Sequence, residues 1–138
     1  MTPNRRMRLK QLTDPRHELL RMHSALYEMG RGRARLEEWG DLADLVIVVD
    51  ALARLEKLDV LAVAPLVHEA VEGLAVANKV PSGQMRVPAG AAHALRSIVM
   101  LYDDCLCRHG QGTIRDAIRL AHVIGDVAPH RGAAALHA

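Results

Sequence analysis

Residues 40–58, GDLADLVIVVDALARLEKL, form a long, sustained apolar stretch with no Gly or Pro after Gly40. Leu42, Leu45, Val46, Val49, Leu52 and Ala53 recur at three-and-four spacing, which lines them along one face of a helix. Ile47 and Val48 widen that stripe, so the helix needs cover on more than one side. A buried strand at 45–49 is the rival reading, because consecutive β-branched residues also suit a sheet. The periodicity runs to Leu55, longer than an ordinary strand, and decides for a helix. Asp41 is the expected cap, since a carboxylate there can accept from the free N–H groups of a first turn. The chain is therefore expected to pack around this helix.

The remaining composition fits that expectation. A chain of 138 residues, half of them apolar, is long enough for one domain with a real core. It has no Phe, one Trp and two Tyr, so the interior must be built from Leu, Val, Ile, Ala and Met. No apolar run reads as a membrane span of ~18–20 residues. The opening MTPNRRMRLKQL is basic but has no apolar segment behind it, unlike a secretory signal. A cytoplasmic protein without a membrane partner is expected. Cys105 and Cys107 are two apart and point in different directions on a helix, so they are not expected to pair with each other.

Taken in order, residues 1–12 read as a loosely ordered basic arm carrying Arg5, Arg6, Arg8 and Lys10. Thr13, Asp14 and Pro15 open a first helix, with Asp14 as cap and Pro15 where a missing N–H costs nothing. Leu19, Met22, Leu26 and Met29 form its stripe, and Gly30 ends it. Residues 35–39 read as helical, with Gly40 marking a break or kink before the central helix. Trp39 is expected to plug a core edge, its indole N–H needing a partner. Asp59 caps a third helix through Leu61, Leu66, Val67, Ala70, Val71, Leu74 and Ala77. Pro65 either kinks it or starts it. Residues 80–87, VPSGQMRV, are the main loop, in which Met85 and Val87 could point inward or outward. Pro88 opens a fourth helix through Ala92, Leu95, Ile98, Val99, Tyr102, Cys105 and Leu106, and Gly110 stops it. Thr113 with Asp116 resembles a capping arrangement for a fifth helix through Ile114, Ala117, Ile118, Ala121 and Ile124, ending at Gly125. The expectation is an all-α, up-and-down bundle of about five helices over residues 13–125, with a flexible tail at 126–138.

The charge is segregated along the chain. Residues 1–35 carry nine Lys/Arg against three Asp/Glu, a net +6. Residues 36–80 carry three against nine, a net −6, and residues 81–138 a net +2. Either the basic first helix lies on the acidic second within the fold, or the asymmetry steers a charged partner.

Clusters that could carry chemistry fall short of complete sites. His68 and Glu72 share a helical face, but a zinc-protease helix needs a second imidazole where Glu72 stands. Cys105 and His109 are also neighbours at i, i+4, yet tetrahedral zinc calls for a second ligand pair. Cys105 fits the apolar stripe and reads as a core cysteine. Cys–His catalysis would further need an orienting group and an oxyanion site. The glycine-rich phosphate loops and the serine elbow are missing from the sequence. The expectation is a non-enzyme with no metal or cofactor. Residues 118–131 have a helix-turn-helix outline, with Ala121 before a turn at Gly125, but the second helix would be poor in base-reading side chains.

The segments MRLKQLTDPRHELLRMHSALYEMG, LEEWGDLADLVIVVDALARL and LRSIVMLYDDCLCRHG followed by TIRDAIRLAH resemble uncharacterised small helical proteins of proteobacterial prophages and mobile elements. The resemblance implies an accessory role, either binding and modifying host proteins, defence complexes among them, or regulating the element's own DNA. It carries over no catalytic residue. The expected function is a protein-binding module, an inhibitor or regulator of a host or element-encoded protein. Its candidate contacts are Arg31, Arg33 and Arg35 with the acidic edge Glu37, Glu38 and Asp41, which could stand in for phosphates on a nucleoprotein target. The alternatives are a nucleic-acid binder using Arg5, Arg6, Arg8 and Lys10, and a metal-dependent enzyme. A monomer or a homodimer through the first helix fits either binding role.

Overall fold

The structure, a computed structural model, describes residues 15–127. The expected basic arm 1–12, the expected cap Asp14 and the tail from residue 128 lie outside the described residues. Within them the chain forms four helices and no strand: α1 (Pro15–Gly30), α2 (Leu36–Arg54), α3 (Val60–Ala77) and α4 (Ala89–Val127). The all-α class is as expected, and the count of five helices is corrected to four. The difference lies at Gly110, whose backbone leaves the helical region at φ 79° and ψ −178°. Glycine alone adopts that conformation cheaply, and helix resumes directly beyond it. Gly110 therefore kinks one long element. Thr113, expected as a cap, instead donates its hydroxyl hydrogen bond back to the His109 carbonyl at 3.3 Å.

α2 is the centre of the bundle and touches each of the other three helices. Leu42, Leu45, Val46, Val48, Val49, Ala51, Leu52 and Ala53 are all buried. Burial extends round the helix to Asp44, which the apolar stripe alone does not cover. The helix begins at Leu36, so Gly40 lies inside it and Asp41 is not its cap. The end is closed from a distance: the Leu36 N–H donates to the Ser82 hydroxyl at 2.9 Å. At the other end Glu56 takes a left-handed φ of 59°. Its N–H reaches the Ala53 carbonyl and that of Lys57 reaches Leu52, a Schellman closure with Glu where Gly is usual.

α1 buries Met22, Ala25 and Met29 against this centre, with Leu19 and Leu26 half-buried. Met22 and Met29, on the helix through which a homodimer could have formed, are thus spent on the chain's own core. Gly32 supplies the positive φ that closes α1.

α3 starts where Asp59 Oδ1 accepts from the Leu61 N–H at 3.0 Å. It runs without interruption through Pro65, so the proline does not start it. Its buried line is Val63, Ala70, Gly73, Leu74 and Ala77. Leu61, expected in the core, is 85 % exposed, because only one side of α3 meets α2 and α4. As an unbroken helix α3 has 18 residues with mean hydropathy 1.6, the length and composition of a membrane span, which corrects the sequence reading. It packs in the bundle along one side. α4 comes close at Gly73, where a Cβ would run into the Ala91 Cβ.

α4 places Leu95, Ile98, Val99, Tyr102 and Cys105 in the core before the kink, and Ile114, Ala117 and Ala121 after it. Its backbone stays helical through Gly125 to Val127. The turn that a helix-turn-helix needs at Gly125 is therefore not formed, and residues 126 and 127, expected in the tail, belong to α4.

Two tertiary ties hold the loops. Ala34 pairs with Met85 in an isolated bridge, and both Met85 and Val87 turn inward to be buried. The Trp39 indole donates to the Leu74 carbonyl at 2.8 Å, binding the start of α2 to the end of α3. That is the partner its half-buried position requires.

Candidate functional site

An open groove of about 360 Å³ runs between α1 and α4. α1 contributes His23, Leu26, Tyr27 and Met29, and α4 contributes Ala92, Arg96 and Met100. Met29 forms part of the buried floor, whereas Tyr27 and Met100 stand on the rim at 60 % and 70 % exposure. Tyr27 faces outward because it lies beside the stripe of Met22, Ala25 and Met29 that sits in the core. Its ring is held by Arg31, whose guanidinium lies 5.3 Å from the ring centroid and donates to the phenol oxygen at 2.9 Å. Such stacking on an exposed ring contributes about 0.5–1 kcal/mol.

Arg96 lines the groove, and its Gly30 end leads to an arginine-rich turn. Arg31, Arg33, Arg86 and Arg96 are exposed, as is His23. The chain turn at Gly32 brings Arg86 to the same corner, since a Cβ on Gly32 would lie 3.5 Å from the Arg86 side chain. Arg31 and Arg33 flank that glycine in sequence. Nothing in the sequence links Arg86 or Arg96 to them; the link is the Ala34–Met85 bridge and the packing of α4 on α1.

The acidic edge divides differently from its order in sequence. Glu37 is exposed, Asp41 is half-buried and Glu38 is buried. Glu38 Oε1 accepts from Arg35 Nε at 3.2 Å, and its hydrogen bond and charge hold the Arg35 guanidinium above its ordinary value. Asp41 accepts from Arg21 Nη2 at 2.9 Å across the α1–α2 seam. One ion pair thus joins α1 to the acidic second helix within the fold.

Arg21 also approaches Glu18 at 3.9 Å. Glu18 is 5 % exposed, and burial pushes its carboxyl up from 4.5 to about 7. Arg21 opposes the shift, while Asp41 and Asp44 add to it. Glu18 Oε2 and Glu38 Oε2 have no hydrogen-bond partner among the described residues. Burial likewise raises the Tyr102 phenol, with Glu18 contributing. Sequence reading passed over Glu18, although it stands four residues before Met22 on the same face.

The candidate ligand clusters are placed as follows. His68 Nε2 lies 3.1 Å from Glu72 Oε1 with both side chains exposed. Cys105 is buried in the core and desolvation raises its thiol, whereas Cys107 is exposed and faces Asp103 at 3.9 Å. His109 is exposed. Among the described residues no three His, Cys, Asp or Glu side chains converge as a metal site. Arg5, Arg6, Arg8 and Lys10 lie outside the described residues.

No family model matches the chain. Comparison with curated proteins and with solved structures finds no match either.

Proposed function

We propose that this chain is a non-catalytic protein-binding module that receives its partner in the groove between α1 and α4. The observation that carries the reading is the pairing of an apolar floor with exposed Tyr27 and Met100, with Arg96 in the lining and Arg31 stacked on Tyr27. Methionine adapts its shape to a partner, and Tyr, Met and Arg are enriched where protein surfaces meet. The resemblance to prophage and mobile-element proteins supports a role as inhibitor or regulator of a host or element-encoded complex, in the cytoplasm.

The test is affinity capture from a bacterial lysate, with the native chain beside Met100→Asp and Tyr27→Ala, each with and without nuclease. A protein retained through nuclease by the native chain and lost by both variants supports the reading. Retention by both variants refutes the groove. A second reading, nucleic-acid binding, is favoured by the gathering of Arg31, Arg33 and Arg86 at one corner. It requires capture that disappears with nuclease and a steep dependence on salt.

A further inference from the structure

The solvent side of α3 carries a pattern that the groove does not explain. Leu61, Pro65, His68, Glu72 and Val76 follow one another at three-and-four spacing and are all exposed. This line is apolar at both ends and polar in the middle. Val60, Leu61, Ala64 and Pro65 make one apolar end. Val76 makes the other, with exposed Val80 just beyond the end of the helix. Only 28 % of this apolar helix is buried.

We propose that α3 pairs antiparallel with α3 of a second copy of this chain, about a two-fold axis beside His68 and Glu72. The pattern is self-complementary in that orientation alone. A two-fold across the middle sets the Leu61 end of each copy on the Val76 end of the other. His68 then meets Glu72 of the other copy, the pair that now closes within one chain at 3.1 Å. Charge follows the same register. Exposed Glu56, Lys57 and Asp59, a net −1, stand at the start of α3 and exposed Lys79 just past its end. The antiparallel pairing places Asp59 opposite Lys79, whereas a parallel one would set like against like. Because each copy offers the same patch, the contact is isologous and closes at a dimer.

The size of the face sets the strength. Eighteen residues of helix make a strip roughly 27 Å long and about 10 Å wide, on the order of 300 Å² against the ~800 Å² per partner of a standard interface. The dimer is therefore expected to be weak.

The test is sedimentation equilibrium of the full chain across the micromolar range, with circular dichroism to confirm helix content. The native chain is expected to shift from monomer to dimer, and Leu61→Asp to remain monomeric with unchanged helicity. Orientation is read in a Cys107→Ser background. Leu61→Cys with Val76→Cys is expected to cross-link two chains under mild oxidation, and Leu61→Cys alone is not. A native chain that stays monomeric overturns the proposal, as does cross-linking through Cys at 61 alone. Met100→Asp is expected to dimerise as the native chain does, which separates this face from the groove.

Discussion

Replacing Glu18 by Gln should stabilise the protein at alkaline pH and do nothing in acid. Glu18 is 5 % exposed and its carboxyl is raised from 4.5 to about 7, first by desolvation and then by Asp41 and Asp44. Between these values the folded chain holds a proton that the unfolded chain has released. The native protein therefore loses stability as pH rises through this window, and the loss is complete above about 7. A shift of about 2.5 units at 1.36 kcal/mol each corresponds to about 3 kcal/mol. That is a large part of the ~5–15 kcal/mol that holds a domain together. Gln matches protonated Glu in shape and keeps a donor, so the two proteins should unfold at the same urea concentration near pH 4.5. By pH 8 Glu18→Gln should be the more stable by about 3 kcal/mol. The assay is urea unfolding followed by circular dichroism at intervals of pH, taking the difference between the two proteins so that unrelated titrations cancel. A difference that is flat across this range would refute the reasoning, as would a Gln variant weaker than the native protein at pH 8.

Three further substitutions probe packing and closure. Gly73→Ala should cost about 1–3 kcal/mol by overpacking, because its Cβ would run into that of Ala91; Ala91→Gly should restore part of the loss in thermal unfolding. Trp39→Phe should cost only about 0.5–1.5 kcal/mol in urea unfolding, since the Leu74 carbonyl still accepts the Asn78 N–H at 3.0 Å. Glu56→Gly should raise the unfolding temperature with a gain of about 1 kcal/mol, because the left-handed φ of 59° at this exposed residue favours glycine.

The helical class and the central place of α2 were legible because apolar spacing reports local geometry directly. Asp59 as the cap of α3 was legible for the same reason, its bond reaching only two residues along. Asp41 misled because the real closure of α2 comes from Ser82, a partner that local rules do not reach. Leu61 misled because periodicity finds an apolar face but not whether a neighbour covers it. Gly110 was correctly seen as a break in helical geometry, while the resumption of helix beyond it depends on how Ile114, Ala117 and Ala121 find the core. The groove was invisible for a plainer reason: Tyr27 and Met100 lie far apart in sequence and meet only through the packing of α1 on α4.

The Ser82 hydroxyl has a consequence for how the chain acquires its structure. The first turn of the most buried helix is completed by a residue 46 positions downstream, and the Ala34–Met85 bridge crosses the same gap. Closing a loop of that length carries an entropic cost that must be met before its contacts can form. During synthesis, a chain that has emerged only to the end of α3 therefore lacks the closure of its central helix. Folding to completion should wait for the 80–87 segment, so this surface loop is a poor place for an insertion although most of its residues are exposed.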